Sequence, residues 1–263
     1  MPDIQQEYLA AVAQLTGPGG PFELAGDDVS GRYYAKAPAN LAEALAVARQ
    51  HGSREFLVYE GERRSFDDLM GEADAIAAAL QARGIAPGER VALAMRNYPE
   101  WMAGFIAVVS IGAVVVPINS WGQPAEILAL LDDAGAQLVF CDQQRYDGMA
   151  AGLRERGIDA VIARPAAAGD PNGLAAFLEG AGQRAPAPVT ISGDDLAMIM
   201  YTSGTSGKPK GAASTHRAIC QALVNFDCTA MAAAMTNPET IGAMLERGFE
   251  PTSLLAVPLF HVS

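Results

Sequence analysis

Met-Ile-Met-Tyr-Thr-Ser-Gly-Thr-Ser-Gly-Lys-Pro-Lys-Gly, residues 198–211, sets an apolar run directly against hydroxyls, glycines and lysines. The pattern predicts a buried strand over 196–201, a loop to Ala213 and a helix from Ser214 to about Thr229. Gly204, Gly207 and Gly211 let the backbone approach a ligand and turn N–H groups toward it. Thr202, Ser203, Thr205 and Ser206 add hydroxyl donors, and Lys208 and Lys210 add charge. The dipole of a helix starting at Ser214 is expected to reinforce anion binding. Together these features suit a polyphosphate. A Walker loop is excluded because only two residues separate Gly204 from Gly207, and Pro209 stands where the magnesium-holding hydroxyl belongs. A flexible Gly/Ser linker is disfavoured because linkers rarely abut a hydrophobic strand.

Upstream, strands and helices alternate. Strands are expected at 56–59, 90–95, 113–118, 137–141 and 158–163, and helices at 66–83, 98–111, 124–134 and 146–155. Ser65 with Asp68 reads as a capping box, Gly84 as a helix stop and Pro99 as a first-turn proline. This beat is that of an α/β fold with layered parallel sheets flanked by helices. Residues 164–190, rich in Ala, Pro and Gly, read as a surface excursion or linker. We therefore expect a first α/β subdomain with an N-terminal extension over 1–190, and the strand-loop-helix opening a second subdomain over 191–263. A short amphipathic helix ending at 17–21 is expected near the N-terminus, and a last strand at 254–257. No closing helix follows, so the chain reads as a fragment of a longer one.

The charge balance, 18 − 30 = −12, excludes a nucleic-acid surface, which needs clustered cations. Cys141, Cys220 and Cys228 lack C-x-x-C spacing and the three histidines are scattered, which argues against a disulfide framework or a zinc site and for a reducing cytoplasm. The N-terminus lacks the basic start and apolar core of a secretory signal. Residues 101–125 carry no charge, but Gly112, Pro117 and the β-branched 114–116 favour a buried helix and strand over a transmembrane segment.

Residues 202–210 resemble, at every position, the signature of the adenylate-forming (AMP-binding) superfamily: acyl-CoA synthetases, adenylation domains of peptide synthetases and luciferases. Residues 64–69 resemble its early Thr-Tyr-x-Glu-Leu segment, 84–93 its next turn and strand, and 112–119 its Gly-Ala-x-x-x-Pro-x-Asn segment. Residues 257–263, Val-Pro-Leu-Phe-His-Val-Ser, resemble the motif ending beside the acyl pocket, so the likeness spans roughly 40–263. It implies the N-terminal portion of the acyl-CoA synthetase/adenylation/luciferase fold.

The resemblance also implies a reaction. A carboxylate attacks the α-phosphorus of ATP, pyrophosphate leaves, and the acyl-adenylate passes its acyl group to coenzyme A, with Mg2+ as cofactor. Thr202, Ser203, Gly204, Thr205, Ser206, Gly207 and Lys210 would wrap the β- and γ-phosphates, with Thr202 and Lys210 assigned catalytic roles. Lys208 occupies the family's variable position. His261 would border the carboxylic acid's pocket. His216, Cys220, Cys228, Tyr98 and Trp101 read as structural. The adenine, ribose, magnesium and C-terminal lysine positions of the family fall beyond Ser263, implying an intact protein about twice as long and a fragment that does not turn over alone. A non-catalytic homologue, an adenylation domain with another acceptor, and a kinase or NTPase are the alternatives. Homodimerisation is left open.

Overall fold

The expected alternation is present in the computed structural model, which describes residues 4–27, 29, 31–180, 185–202, 209–250 and 252–261. In chain order come α1 (Ile4–Thr16), the antiparallel hairpin β1 (Leu24–Asp27) and β2 (Gly31–Tyr34), α2 (Leu41–Ala46) and a 3-10 turn, Val47–His51. A second hairpin, β3 (Glu55–Tyr59) and β4 (Glu62–Ser65), precedes α3 (Phe66–Ala82). Then follow β5 (Arg90–Ala94), α4 (Pro99–Ser110), β6 (Val114–Pro117), α5 (Pro124–Ala134), β7 (Leu138–Cys141), α6 (Gln143–Arg156) and β8 (Asp159–Ile162). The chain continues through α7 (Leu174–Glu179), β9 (Leu196–Thr202), β10 (Lys210–Thr215), α8 (His216–Met235) and α9 (Pro238–Glu246).

One sheet in the order β10-β9-β6-β5-β7-β8 organises the larger unit. β9, β6, β5, β7 and β8 run parallel, and only the edge strand β10 is antiparallel to its neighbour. Alternation along β5 fixes the two faces, because successive side chains in a strand point to opposite sides. Ala92 and Ala94 pack with Ile127 and Leu131 of α5 and Met149 and Leu153 of α6. Leu93 points the other way, toward Gly104 of α4, where an added Cβ would meet its Cδ2 at 3.3 Å. The β-branched Val114–Pro117 strand is buried along its whole length. Local chemistry sets the helix ends. Ser65 and Asp68 form the expected capping box on α3, and α5 ends at Gly135 in the left-handed region, φ 64°.

Two units divide the chain: Met1–Ala39 with Arg217–Leu255, and Asn40–His216 with Ala256–Ser263. A boundary was expected near Thr190. β9 and β10 instead extend the ladder of β6, so they belong with the strands that precede them. In the smaller unit, Ala11 and Leu15 of α1 bury against Cys228 and Ala232 of α8, and Gln221 exchanges two hydrogen bonds with the Tyr34 backbone. α8 is long and apolar enough, by length and composition, to cross a membrane.

Three expectations are corrected, and one element was not foreseen. The stretch 210–215 is a strand rather than a loop, and the helix starts at His216 and reaches Met235. Residues 164–190 are not a bare excursion, since Leu174 and Phe177 of α7 are buried within them. The strand expected at 254–257 does not form; Leu254 is 93% exposed, and no strand pairs with it among the described residues. Residues 238–246, which the sequence reading left without an element, form α9.

Candidate functional site

Thr202 closes β9 and Lys210 opens β10, and the two face each other across the antiparallel ladder. Opposite residues in such a pair send their side chains to the same face. The hydroxyl and the ammonium therefore flank the mouth of the loop together, both exposed. Ser203, Gly204, Thr205, Ser206 and Gly207, with Lys208, lie outside the described residues.

One register step inward, Tyr201 lies opposite Gly211. Glycine is required there: an added Cβ would stand 2.9 Å from Ile199 Cγ2 and 3.4 Å from the Tyr201 ring. The Tyr201 hydroxyl donates to Asp133 Oδ2 at 2.6 Å, tying the hairpin to the last turn of α5. Burial pushes the Tyr201 phenol well above its ordinary pKa, and the Asp133 hydrogen bond and charge push the same way.

The expected helix dipole does not reach the loop. α8 begins after β10, so its N-terminus is roughly 20 Å along the strand from Lys210, at ~3.3 Å per residue. His216, the first residue of that helix, is fully buried. Its Nδ1 accepts the Leu41 N–H at 3.2 Å, and its backbone N–H donates to the Asp195 carbonyl at 3.0 Å. Burial pushes its pKa down, against the pull of Asp195. It serves packing, as read from the sequence.

His261 sits elsewhere on the same sheet edge. It ends a turn in which its N–H donates to the Pro258 carbonyl at 3.0 Å, and it is exposed. Phe260 beside it is 8% exposed and meets Trp121 edge-on, ring centroids 5.9 Å apart. Asn97 holds the same segment through two hydrogen bonds, Nδ2–H to the Val257 carbonyl and Leu259 N–H to Oδ1, each 2.8 Å. Asn97 follows β5, Trp121 follows β6 and Thr202 ends β9, all at the carboxyl edge of parallel strands. That edge is where open α/β sheets bind ligands. β9 and β5 are two strand steps apart, about 10 Å at ~4.8 Å per step.

The loops along this edge are stapled. Asp142, 3% exposed, caps α6 by accepting the Arg145 N–H at 3.1 Å and also accepts the Arg96 N–H at 3.2 Å. Arg145 pairs with Asp142 and donates from Nε to the Ser120 carbonyl at 2.6 Å. Ends of β5, β6 and β7 are thereby fixed to one another. Neighbouring Cys141 is fully buried, and burial with the Asp142 charge pushes its thiol far up, which marks a packing residue. Among the described residues no group of three or more His, Cys, Asp or Glu side chains could hold a metal ion. Sequence reading named Thr202, Lys210 and His261 but not Asn97, Trp121 or Asp133, whose contacts join partners 68 to 162 residues away or depend on packing.

Comparison with known proteins gives a consistent result. The family described as AMP-binding enzyme matches residues 45–263. The long-chain-fatty-acid–CoA ligase FadD13 of Mycobacterium tuberculosis is 33% identical over 211 residues, covering 76% of this chain and 36% of the ligase. Feruloyl-CoA synthase of an Amycolatopsis species is 29% identical over 218 residues, 83% of this chain and 37% of the synthase. Among solved structures, the N-terminal subdomain of Klebsiella oxytoca NpsA in complex with 3-hydroxyanthranilyl-AMSN superposes with a TM-score of 0.57 at 25% identity, covering 70% of this chain and 43% of that one. The chain thus spans about a third of the length of the curated ligases it matches.

Proposed function

The chain belongs to the AMP-binding enzyme family, and from that premise we propose that the protein carrying it is an AMP-forming acid-thiol ligase. A carboxylate would attack the α-phosphorus of ATP, the bond to the β-phosphate would break, and pyrophosphate would leave an acyl-adenylate. Coenzyme A thiol would then displace AMP to give the thioester. The observation that carries this reading is the Thr202–Lys210 pair at the mouth of the loop, on the carboxyl edge of the sheet.

Work for these residues is positioning and charge neutralisation, which dominate phosphoryl and nucleotidyl transfer. Lys210 would meet a phosphate oxygen as a point charge and Thr202 would donate its hydroxyl, with Ser203, Gly204, Thr205, Ser206 and Gly207 assigned to the phosphates from the signature alone. His261 would border the acid. CoA as acceptor is supported by the names of the ligases above, and long-chain or aromatic acids are the substrate classes those names suggest. Among the described residues no group of three or more His, Cys, Asp or Glu could hold a metal ion, and magnesium would arrive on the phosphates of ATP. The buried Cys141, Cys220 and Cys228, none in a disulfide among the described residues, support a reducing, cytoplasmic setting.

The test offers the full-length protein a panel of carboxylic acids with ATP and CoA. Acid-dependent pyrophosphate and AMP release is expected, and its absence across the panel refutes the proposal. Lys210→Ala should lower kcat/KM by about 10- to 100-fold, the range of one lost charge-assisted hydrogen bond. A second reading, adenylation with a different acceptor, is favoured by the likeness to the NpsA subdomain. It predicts acid-dependent pyrophosphate exchange with no effect of CoA on AMP release.

A further inference from the structure

Residues 256–261 rejoin the larger unit after the excursion through α8 and α9. Among the described residues they form no strand or helix of their own. Their attachment runs through side chains of the sheet edge, and Asn97 makes the two-point contact. Its amide donates to the Val257 carbonyl and accepts the Leu259 N–H, both at 2.8 Å, so it pairs with the segment as a neighbouring strand would. A planar amide making two such bonds fixes both the position and the direction of the backbone it grips. Trp121 adds the second hold by meeting Phe260 edge-on, with Arg96 above its ring at 5.5 Å. Two residues beyond Leu259 comes His261, and the turn closed by its own N–H to the Pro258 carbonyl leaves little slack between clamp and imidazole.

From this geometry we infer that Asn97 is a positioning residue for the acid-binding side of the site: it sets the segment 257–261 and, through it, His261. The inference rests on the reading that His261 borders the carboxylic acid. It separates the two substrates of adenylation, because Asn97 grips the acid-side segment while the phosphate hairpin is held independently by Tyr201 and Asp133. Loosening the clamp therefore acts on the acid and spares ATP. A scaffold role alone would weaken both.

The experiment is acid-dependent ATP–pyrophosphate exchange by the full-length protein, with Asn97→Ala, Asn97→Asp and His261→Ala compared with wild type. Asn97→Asp keeps an acceptor for Leu259 but turns a carboxylate oxygen on the Val257 carbonyl. Both Asn97 variants should raise KM for the acid by about tenfold, alanine by losing two ordinary hydrogen bonds and aspartate by losing one and setting a carboxylate oxygen against a carbonyl, each after partial relaxation, with KM for ATP within about twofold of wild type. Should they fail to fold, Trp121→Ala loosens the same segment from a site that is 58% exposed, and it carries the same expectation. An unchanged acid KM in a clamp variant, beside a raised one in His261→Ala, overturns the inference and leaves the adenylation reading standing. Equal weakening of acid and ATP overturns it as well, in favour of a scaffold role. If wild type catalyses no acid-dependent exchange, the parent reading fails and takes the inference with it.

Discussion

Replacing Tyr201 with phenylalanine removes one oxygen from the base of the β9–β10 hairpin. β9 joins the body of the sheet through the Val115–Met198 pairing with β6, and β10 pairs only with β9. The Tyr201 hydroxyl adds a tie to α5 through Asp133, at 2.6 Å. A hydrogen bond to a charged partner contributes ~1.5–3 kcal/mol when dry. Asp133 is exposed and Tyr201 only half-buried, so solvent screening brings the figure to about 1 kcal/mol. That is about a fivefold change in the local opening equilibrium. In Tyr201→Phe, amide hydrogen exchange along β9 and β10 should quicken about fivefold while β5, β6 and β7 keep their protection. KM for ATP should rise by a similar factor, about fivefold. Asp133→Asn should do the same, and the double variant should add little, because the two residues act as one contact. Unchanged exchange in the hairpin, or additive effects in the double variant, refutes the tie. The sign with pH is also set. Folding raises the phenol pKa above its free value of about 10, so the stabilisation is fully present below pH ~10 and is lost as pH climbs through the raised value. The phenylalanine variant should lack that alkaline loss.

Glu100→Gln tests the arginine cluster that joins β4, α4 and the end of β8: Glu100, its side chain 8% exposed, accepts from Arg64 Nη2 at 3.0 Å and from Arg164 Nε at 3.0 Å. Neutralising it leaves two partly buried guanidiniums short of a partner and should cost about 2 kcal/mol, seen as a fall in Tm of about 4–8 °C by calorimetry; a shift under about 1 °C would show that Glu62 and Glu72 suffice. Gly211→Ala puts a Cβ 2.9 Å from Ile199 Cγ2 in the β9–β10 hairpin. It should weaken ATP binding in titration calorimetry by about 1–3 kcal/mol, and wild-type affinity would mean that the hairpin yields freely.

Legibility in the sequence followed the range of the interaction that makes each element. α3, α4, α5 and the strands between them are written locally: the Ser65 capping box, Pro99 in the first turn, Gly135 at the C-cap and the β-branched core of β6 are all signals within a few residues. β10 carries none of these. Its Lys-Gly-Ala-Ala-Ser-Thr is small, mostly exposed and without apolar alternation, and it is a strand only because β9 offers an edge. The apolar run at 254–257 made the opposite error, since hydrophobicity without a partner strand leaves Leu254 and Leu255 exposed. Within the candidate site the motif pointed to Thr202 and Lys210, which the structure pairs across the β9–β10 ladder. Asn97 and Asp133 act through contacts across more than sixty residues, and no local pattern encodes them.

The long passage between β8 and β9 follows from the same topology. β8 is one edge of the sheet, whereas β9 lies beyond β6, four strand steps away, or about 19 Å at ~4.8 Å per step. Residues 163–195 must cross that width and return the chain parallel to β6. Their Ala, Pro and Gly content looks like a linker, yet they are pinned along the way. Arg83 of the α3 C-cap donates to the Phe177 carbonyl at 3.1 Å and lies 4.0 Å over the Phe177 ring, and Gln81 exchanges two hydrogen bonds with the Ala187 backbone at 3.0 and 2.7 Å. Such a passage needs reach and a few anchor points more than a core of its own, which explains its composition. It delivers β9 with its carboxyl end on the same edge as those of β5 and β6, and that placement puts the β9–β10 hairpin and the segment held by Asn97 on one edge of the sheet, as the proposed reaction requires.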